Sequence, residues 1–213
     1  MPDTNNPGTS DQSMHLNSQL LFDRYARARF TEGLRVLEMG PDSFPSTLRQ
    51  RVPRVMTWET ADIYESPQLT YSSVSAYSLP VAEDSYDIVL SAQVIEHVPK
   101  VWKWFHELAR VTRPGGLVIT INPTSWPYHE APIDCWRIYP EGMKALCEEA
   151  GLVPETIFSG SLEQPERRRA IPGRSVDAQP RLTRLGFQLL GRFGFPVEKA
   201  FDTITLARKP ASP

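Results

Sequence analysis

The chain has few cysteines, no long apolar run and no excess of one charge, and each shortage removes a class of function. Two cysteines in 213 residues, Cys135 and Cys147, lack metal-ligand spacing and do not make a disulfide scaffold. Cys147 shares a helical stripe with Met143 and Ala150, which marks it as core. No stretch of about 18 apolar residues exists, so no membrane span is expected. Residues 1–12 are polar and hold no apolar signal-peptide core, so a cytoplasmic location is the expectation. A net charge of −2 gives no overall argument for nucleic acid as partner. The remainder, 40% hydrophobic and 23% charged, is the composition of a globular chain able to bury a real core.

Residues 1–17 read as a mobile N-terminal tail, and 18–213 as a single domain. Ser18 can cap a helix that has Leu21, Tyr25 and Ala28 on one face and ends at Gly33. Leu34–Met39 is the first strand and Gly40–Ser43 the turn out of it. Phe44–Arg51 reads as a short helix broken before Pro53. A second strand covers Val55–Ala61, and a weaker third lies near Leu69–Ser75. Ile88–Ala92 is an apolar run suited to a strand buried on both faces. Val101, Trp104, Phe105, Leu108 and Val111 then recur at helical spacing. Arg113-Pro114-Gly115-Gly116 stops that helix before the strand Leu117–Ile121. Pro140–Ala150 is a helix closed by Gly151, and Leu152–Phe158 and Phe201–Ala207 are the last strands. Strands alternating with helices in this way predict an open α/β sheet.

Two places concentrate chemistry. Beyond the strand ending at Ile121, residues Asn122 to Tyr139 hold two Trp, two Tyr, a His, two acids and an Arg. In open α/β sheets ligands sit at that end of the strands, so costly side chains arrive where a site is expected. The other place is the turn after the first strand. Glu38-x-Gly40 puts an acid and a residue without a β-carbon at the strand end. Asp62, 22 residues after Gly40, is spaced to take both hydroxyls of an adenosine ribose. Glu59 competes for that part if the strand ends earlier.

Several strings together resemble the class I S-adenosylmethionine-dependent methyltransferases, type 11 branch. They are Val36-Leu37-Glu38-Met39-Gly40, Thr60-Ala61-Asp62-Ile63, Ala76–Val81, Ser85–Val89, Val94-Ile95-Glu96-His97-Val98 and Leu108–Gly116. The segment Tyr128–Gly142 is similar to a subgroup linked to sugar and polysaccharide tailoring. The resemblance implies a Rossmann-like, three-layer αβα fold with a seven-stranded sheet, six strands parallel and the last antiparallel. It implies S-adenosylmethionine as cofactor. Glu38 and Gly40 would flank its methionine part, and Asp62 and Ile63 its ribose and adenine. Ser75 and Ala76 would lie at the adenine edge, and Ser91, Ala92 and Gln93 at the sulfonium end. The chain departs from the family pattern twice. Asp42 stands where a second glycine is common, and Ser75 where an Asp often meets the adenine amino group.

Methyl transfer to an alcohol needs help with the hydroxyl proton. His129 is the predicted base, with Asp134 or Glu130 orienting it or the substrate. The same His with two acids can instead hold Mg²⁺ through oxygen ligands. His97 reads as a structural residue at a helix start, His15 as a tail residue and His106 as a helix-face residue. Trp126, Tyr128, Trp136 and Tyr139, with Arg137, suit a polyhydroxylated ligand whose C–H faces stack on rings. An Arg-rich insertion, 161–194, holds seven arginines, three acids and no lysine. It has three readings: a lid, a homodimer contact through the Leu182–Leu190 stripe, or an anion site. The expected function is O-methylation of a sugar or oligosaccharide in polysaccharide biosynthesis. The alternatives are a quinone- or lipid-like acceptor, RNA, or a non-catalytic cofactor-binding module.

Overall fold

The computed structural model describes residues 14–54, 56–130, 132–163, 181–193 and 200–211. Helix α1 (Leu16–Leu21) runs into a π turn at Phe22–Ala26 and a 3₁₀ turn at Arg27–Arg29. Strands β1 (Arg35–Met39), β2 (Thr57–Ala61) and β3 (Tyr86–Ala92) follow, then helix α2 (Val101–Val111) and strand β4 (Thr112–Ser125). The chain continues through α3 (Pro140–Glu149), β5 (Val153–Gly160), α4 (Arg181–Arg192) and β6 (Phe201–Arg208). One sheet forms, in the order β2-β1-β3-β4-β6-β5. β1 pairs parallel with β2 and β3, and β3 with β4, while β6 is antiparallel to both its neighbours.

Both faces of the sheet are covered, which explains why its strands are apolar at consecutive positions rather than at alternate ones. Leu37, Met39, Val89 and Val118 face α2 and α3 through Trp104, Phe105, Leu108, Met143 and Cys147. Val36, Ile88, Leu90, Ile119 and Ile204 face Leu21, Phe22, Ala26 and Phe30 on the other side. All five residues of the predicted α2 stripe are buried, and Cys147 is core.

The six described strands correct the expected seven. The Leu69–Ser75 segment makes a single parallel bridge, Ala61 to Tyr71, and then turns away through Ser73 at φ 53°. Positive φ is incompatible with an extended strand, so pairing stops there. The helix expected over Phe44–Arg51 shrinks to a 3₁₀ turn at Arg49–Arg51. The N-terminal helix starts at Leu16, with His15 rather than Ser18 at its cap position and no side-chain cap.

Ser18 and Asn17 are fully buried instead. Asn17 Nδ2 donates to Asp202 Oδ2 (2.7 Å) and to the Gly160 carbonyl (3.0 Å), and Leu162 N–H donates to Asn17 Oδ1 (2.7 Å). Ser18 Oγ lies 3.3 Å from Asp202 Oδ2 and accepts from Gln93 Nε2 at 3.0 Å. These contacts tie the segment placed in the tail to β5 and β6. No described helix is long and apolar enough to cross a membrane. Within the Arg-rich stretch, residues 164–180 and 194 lie outside the described residues. α4 exposes Leu182, Leu185, Leu189 and Leu190.

Candidate active site

A cavity of about 810 Å³ opens beyond the carboxyl ends of β1, β2 and β3, where an open α/β sheet binds its ligands. Gly40, Asp62, Ile63, Ala76, Ala92 and Gln93 line it, six of the nine residues expected at a cofactor. The loop after β4 adds Trp126, His129, Pro132 and Ile133, and the turn after β3 adds His97 and Val98.

Gly40 leaves β1 at φ 64°, and its N–H donates to the Ala61 carbonyl at 2.9 Å. A β-carbon there would sit 2.5 Å from Val94 Cγ2, so glycine is required both by conformation and by space. Asp42, the departure from a glycine-rich loop, braces this turn. Its carboxylate accepts from the Thr47 N–H (2.9 Å), the Thr47 hydroxyl (2.6 Å) and the Met14 N–H (3.2 Å). That last bond brings the N-terminal segment to the cavity, where Met14 and His15 join the lining and His15 packs on Trp126 with ring centroids 3.8 Å apart. His15 is therefore a wall of the site and not a tail residue. Its only sequence signal was a His beside two apolar residues, and the contact spans 111 positions.

Asp62 follows β2 directly. Its Oδ1 accepts from the Tyr64 N–H at 3.2 Å, and partial burial raises its carboxyl above the ordinary range. A half-buried carboxylate at the lip of a cavity of this size suits two vicinal hydroxyls. Gln93, at φ 58°, donates through Nε2 to Asp202 Oδ1 (3.1 Å) as well as to Ser18.

The other three expected cofactor residues do not line the cavity. Ser91 is buried, with its hydroxyl unpartnered among the described residues. Ser75 Oγ accepts from the Tyr77 N–H (3.2 Å) within a turn. Glu38 lies on the sheet face turned toward Leu48, where its Oε2 accepts from Ser46 Oγ (2.6 Å) and Trp58 Nε1 (2.8 Å).

Burial pushes the Glu38 carboxyl up to about 7, against the two hydrogen bonds that favour its anion. Because the folded value lies above the unfolded one, its stabilising contribution is complete below about pH 4.5 and is lost as pH rises through about 7. Glu38→Gln is expected to flatten the fall in stability between about pH 5 and pH 8, changing the slope by about 3 kcal/mol over that window. Urea unfolding of both proteins at a series of pH values measures this, and parallel profiles would contradict it.

The loop after β4 is held by Arg137. Its guanidinium donates to both Asp134 oxygens and to the carbonyls of Trp126 (3.3 Å), Pro127 (3.3 Å) and Trp136 (2.8 Å). The Arg137 guanidinium, with help from the His129 N–H, holds the Asp134 carboxyl down at about 2. Asp134 in turn accepts from the His129 N–H at 2.9 Å and lies 3.5 Å from His129 Nδ1. Arg137, Asp134 and His129 thus form a chain in which only His129 reaches the cavity.

Among the expected acceptor residues, Trp126 alone lines that cavity. Trp136 packs against the core and donates from Nε1 to the Val98 carbonyl (2.9 Å). Tyr128 and Tyr139 are 72% and 62% exposed. Tyr128 hydroxyl donates to Glu130 Oε1 at 2.7 Å, away from the lining.

The oxygen-rich Mg²⁺ set of His129, Glu130 and Asp134 is not assembled, because Asp134 is taken up by Arg137 and Glu130 by Tyr128. What converges instead is Glu96, His97 and His129. His97, read as a helix-start residue, sits at the end of a 3₁₀ turn (Ile95–His97) and faces the cavity. Its Nδ1 meets the Ile133 carbonyl, and burial lowers its pKa. Glu96 is fully buried, and burial pushes its carboxyl up to about 8.

Residues 49–120 match a family described as a methyltransferase domain. An uncharacterized methyltransferase of Mycolicibacterium paratuberculosis is 40% identical over 103 residues, 48% of this chain and 36% of that protein. The chain therefore spans about a third of the length of that relative, and 24% of a second one from Mycobacteroides abscessus. The fold is shared with a SAM-dependent methyltransferase from Archaeoglobus fulgidus. The two agree with a TM-score of 0.58 at 15% identity, over 90% of this chain and 94% of that one. It is also shared with a Haemonchus contortus phosphoethanolamine N-methyltransferase solved with S-adenosylhomocysteine. There the TM-score is 0.55 at 14% identity, over 91% of this chain and 52% of that one. With the six-stranded sheet and the cavity at its carboxyl edge, the chain has the fold of these methyltransferases, and residues 49–120 are similar to a methyltransferase domain.

Proposed function

We propose that the protein transfers a methyl group from S-adenosylmethionine to a hydroxyl oxygen of a small polar acceptor, a sugar or oligosaccharide. The observation that carries this reading is His129, held by Asp134 and presented to the cavity that Gly40 and Asp62 also line. The donor, when bound, supplies a sulfonium methyl that is already electrophilic. Gly40, Asp62, Ile63, Ala76, Ala92 and Gln93 would hold it, with Asp62 taking the ribose hydroxyls. The cavity fits such a group by volume and by the half-buried Asp62 carboxylate beside apolar walls.

The protein's own work is then alignment, water exclusion and proton removal. His129 Nδ1 lies 3.2 Å from the Pro127 carbonyl, which favours the tautomer with the proton on Nδ1 and leaves the Nε2 lone pair for the acceptor's hydroxyl proton. Asp134 and Arg137 fix the ring's position, and Arg137 acts as a positioning residue. Trp126 offers a flat face for the C–H surface of a sugar ring.

An apolar acceptor is the second reading, favoured by Val98, Trp104, Pro132 and Ile133 in the same lining. A panel of mono- and oligosaccharides beside quinone- and lipid-like alcohols, read by S-adenosylhomocysteine release, separates the two. Turnover is expected on glycosides. Turnover confined to apolar acceptors overturns the sugar assignment, and donor binding with no turnover on any acceptor supports a non-catalytic module.

A further inference from the structure

We infer that Glu96, His97 and His129 form a binding site for a divalent transition-metal ion, of which Zn²⁺ is the type. One ligand atom from each of the three lies within 4.8 Å of the other two. Tetrahedral zinc places its ligands about 3.4 Å apart, so closing on the ion moves them by about an ångström. His129 sits on the loop after β4 and can supply that movement.

Three further observations favour an ion over an accidental cluster. First, the Glu96 side chain is fully buried, and neither oxygen has a hydrogen-bond partner among the described residues. A carboxyl group sealed from water and left without a partner is costly in either protonation state, and a cation held against it in place of the proton offsets that cost. Oε1 of Glu96 faces His97 Nε2 at 3.9 Å.

Second, both rings have the outer contact that metal-bound histidines use. His97 Nδ1 meets the Ile133 carbonyl, and His129 Nδ1 lies 3.2 Å from the Pro127 carbonyl. A carbonyl can only accept, so each Nδ1 carries the proton and each Nε2 presents a lone pair. The rings stand edge to face at 88° with centroids 5.0 Å apart, so their open nitrogens are not stacked against one another.

Third, His97 and His129 both line the cavity, so an ion there keeps open positions toward whatever the cavity holds. Two imidazoles and one carboxylate suit Zn²⁺, Co²⁺, Mn²⁺ or Fe²⁺ better than Mg²⁺, which prefers an all-oxygen shell. Ion binding by these three residues does not depend on the methyl-transfer reading. With the ion bound, the His129 Nε2 lone pair is taken up as a ligand, so the ion would replace the free imidazole as the means of acidifying the acceptor hydroxyl.

The test is titration of the chelator-stripped full-length protein with Zn²⁺ and with Co²⁺, by calorimetry and by the visible spectrum of bound Co²⁺. Cys135→Ser is used as background, which removes the exposed thiol. One equivalent is expected to bind saturably. Glu96→Gln, His97→Ala and His129→Ala should each weaken it at least 30-fold, whereas His106→Ala should not. His129 lies outside the packed core, so its variant remains informative if a change at Glu96 unfolds the protein. Absence of saturable binding, or binding that survives the His97 and His129 substitutions, overturns the site. S-adenosylhomocysteine titrated into the same stripped samples reads the donor cavity separately.

Discussion

Replacing Asp62 by alanine should weaken S-adenosylhomocysteine binding about 10- to 100-fold, the equivalent of losing one charge-assisted pair of hydrogen bonds. The reason is local. Asp62 is the one acid among the residues that line the cavity beyond β1 and β2 besides Asp42, and Asp42 already spends its oxygens on Thr47 and Met14. Asp62 accepts from the backbone N–H groups of Tyr64 and Ile63 alone among the described residues, so it retains acceptor capacity for a ligand. Its removal should leave the melting temperature nearly unchanged, since no core contact is lost. Asp62→Asn, which keeps the acceptor toward Tyr64 but not the charge, should fall between wild type and alanine. Calorimetric titration of the three proteins measures the series. Equal affinities across it would remove Asp62 from the donor site and leave the spacing from Gly40 without a functional meaning.

His129→Ala should lower kcat about 10²- to 10⁴-fold on whichever acceptor turns over, with donor affinity changed little. The split follows from where the residues originate. The residues proposed to hold the donor line the cavity beyond β1, β2 and β3, whereas His129 belongs to the loop after β4. Arg137→Lys should lower kcat less steeply, because a single ammonium cannot engage both Asp134 oxygens and the Trp126 and Pro127 carbonyls together. A rate unaffected by loss of the imidazole would remove His129 as proton acceptor.

The parts of the fold legible in the sequence were those fixed by local periodicity. The α2 stripe, the apolar runs of β3 and β4, the helix after Pro140 and the closing hairpin strands lie where the pattern puts them, to within a few residues. β4 extends beyond the expected Leu117–Ile121 at both ends: Thr112 still pairs with Tyr86 across a register shift that takes in Gly115 at φ 77°, and Asn122, Pro123 and Ser125 pair with β6. What failed was set by partners distant in sequence. Ser18 looks like a cap in isolation, but Asp202, 184 positions away, draws it into the interior. Glu38 follows the family's spacing, yet its side chain alternates to the sheet face where Ser46 and Trp58 can reach it.

The same logic applies to the site. Gly40, Asp62 and Gln93 line the cavity as expected because strand ends are recognisable in the sequence. Arg137, expected at the acceptor, has its guanidinium on Asp134 and on the carbonyls of its own loop. Glu96 and His97 carry no local signal of a chemical role in the sequence. Their meaning depends on His129 arriving from 32 positions further on, which no periodicity encodes.

A sulfonium donor is expected to occupy the cavity beyond β1, β2 and β3. Calorimetry of the intact, purified protein with S-adenosylmethionine and S-adenosylhomocysteine tests it most directly. One saturable site for each, weakened by the change at Asp62, is the predicted result. Heats no different from dilution for both compounds would contradict the account.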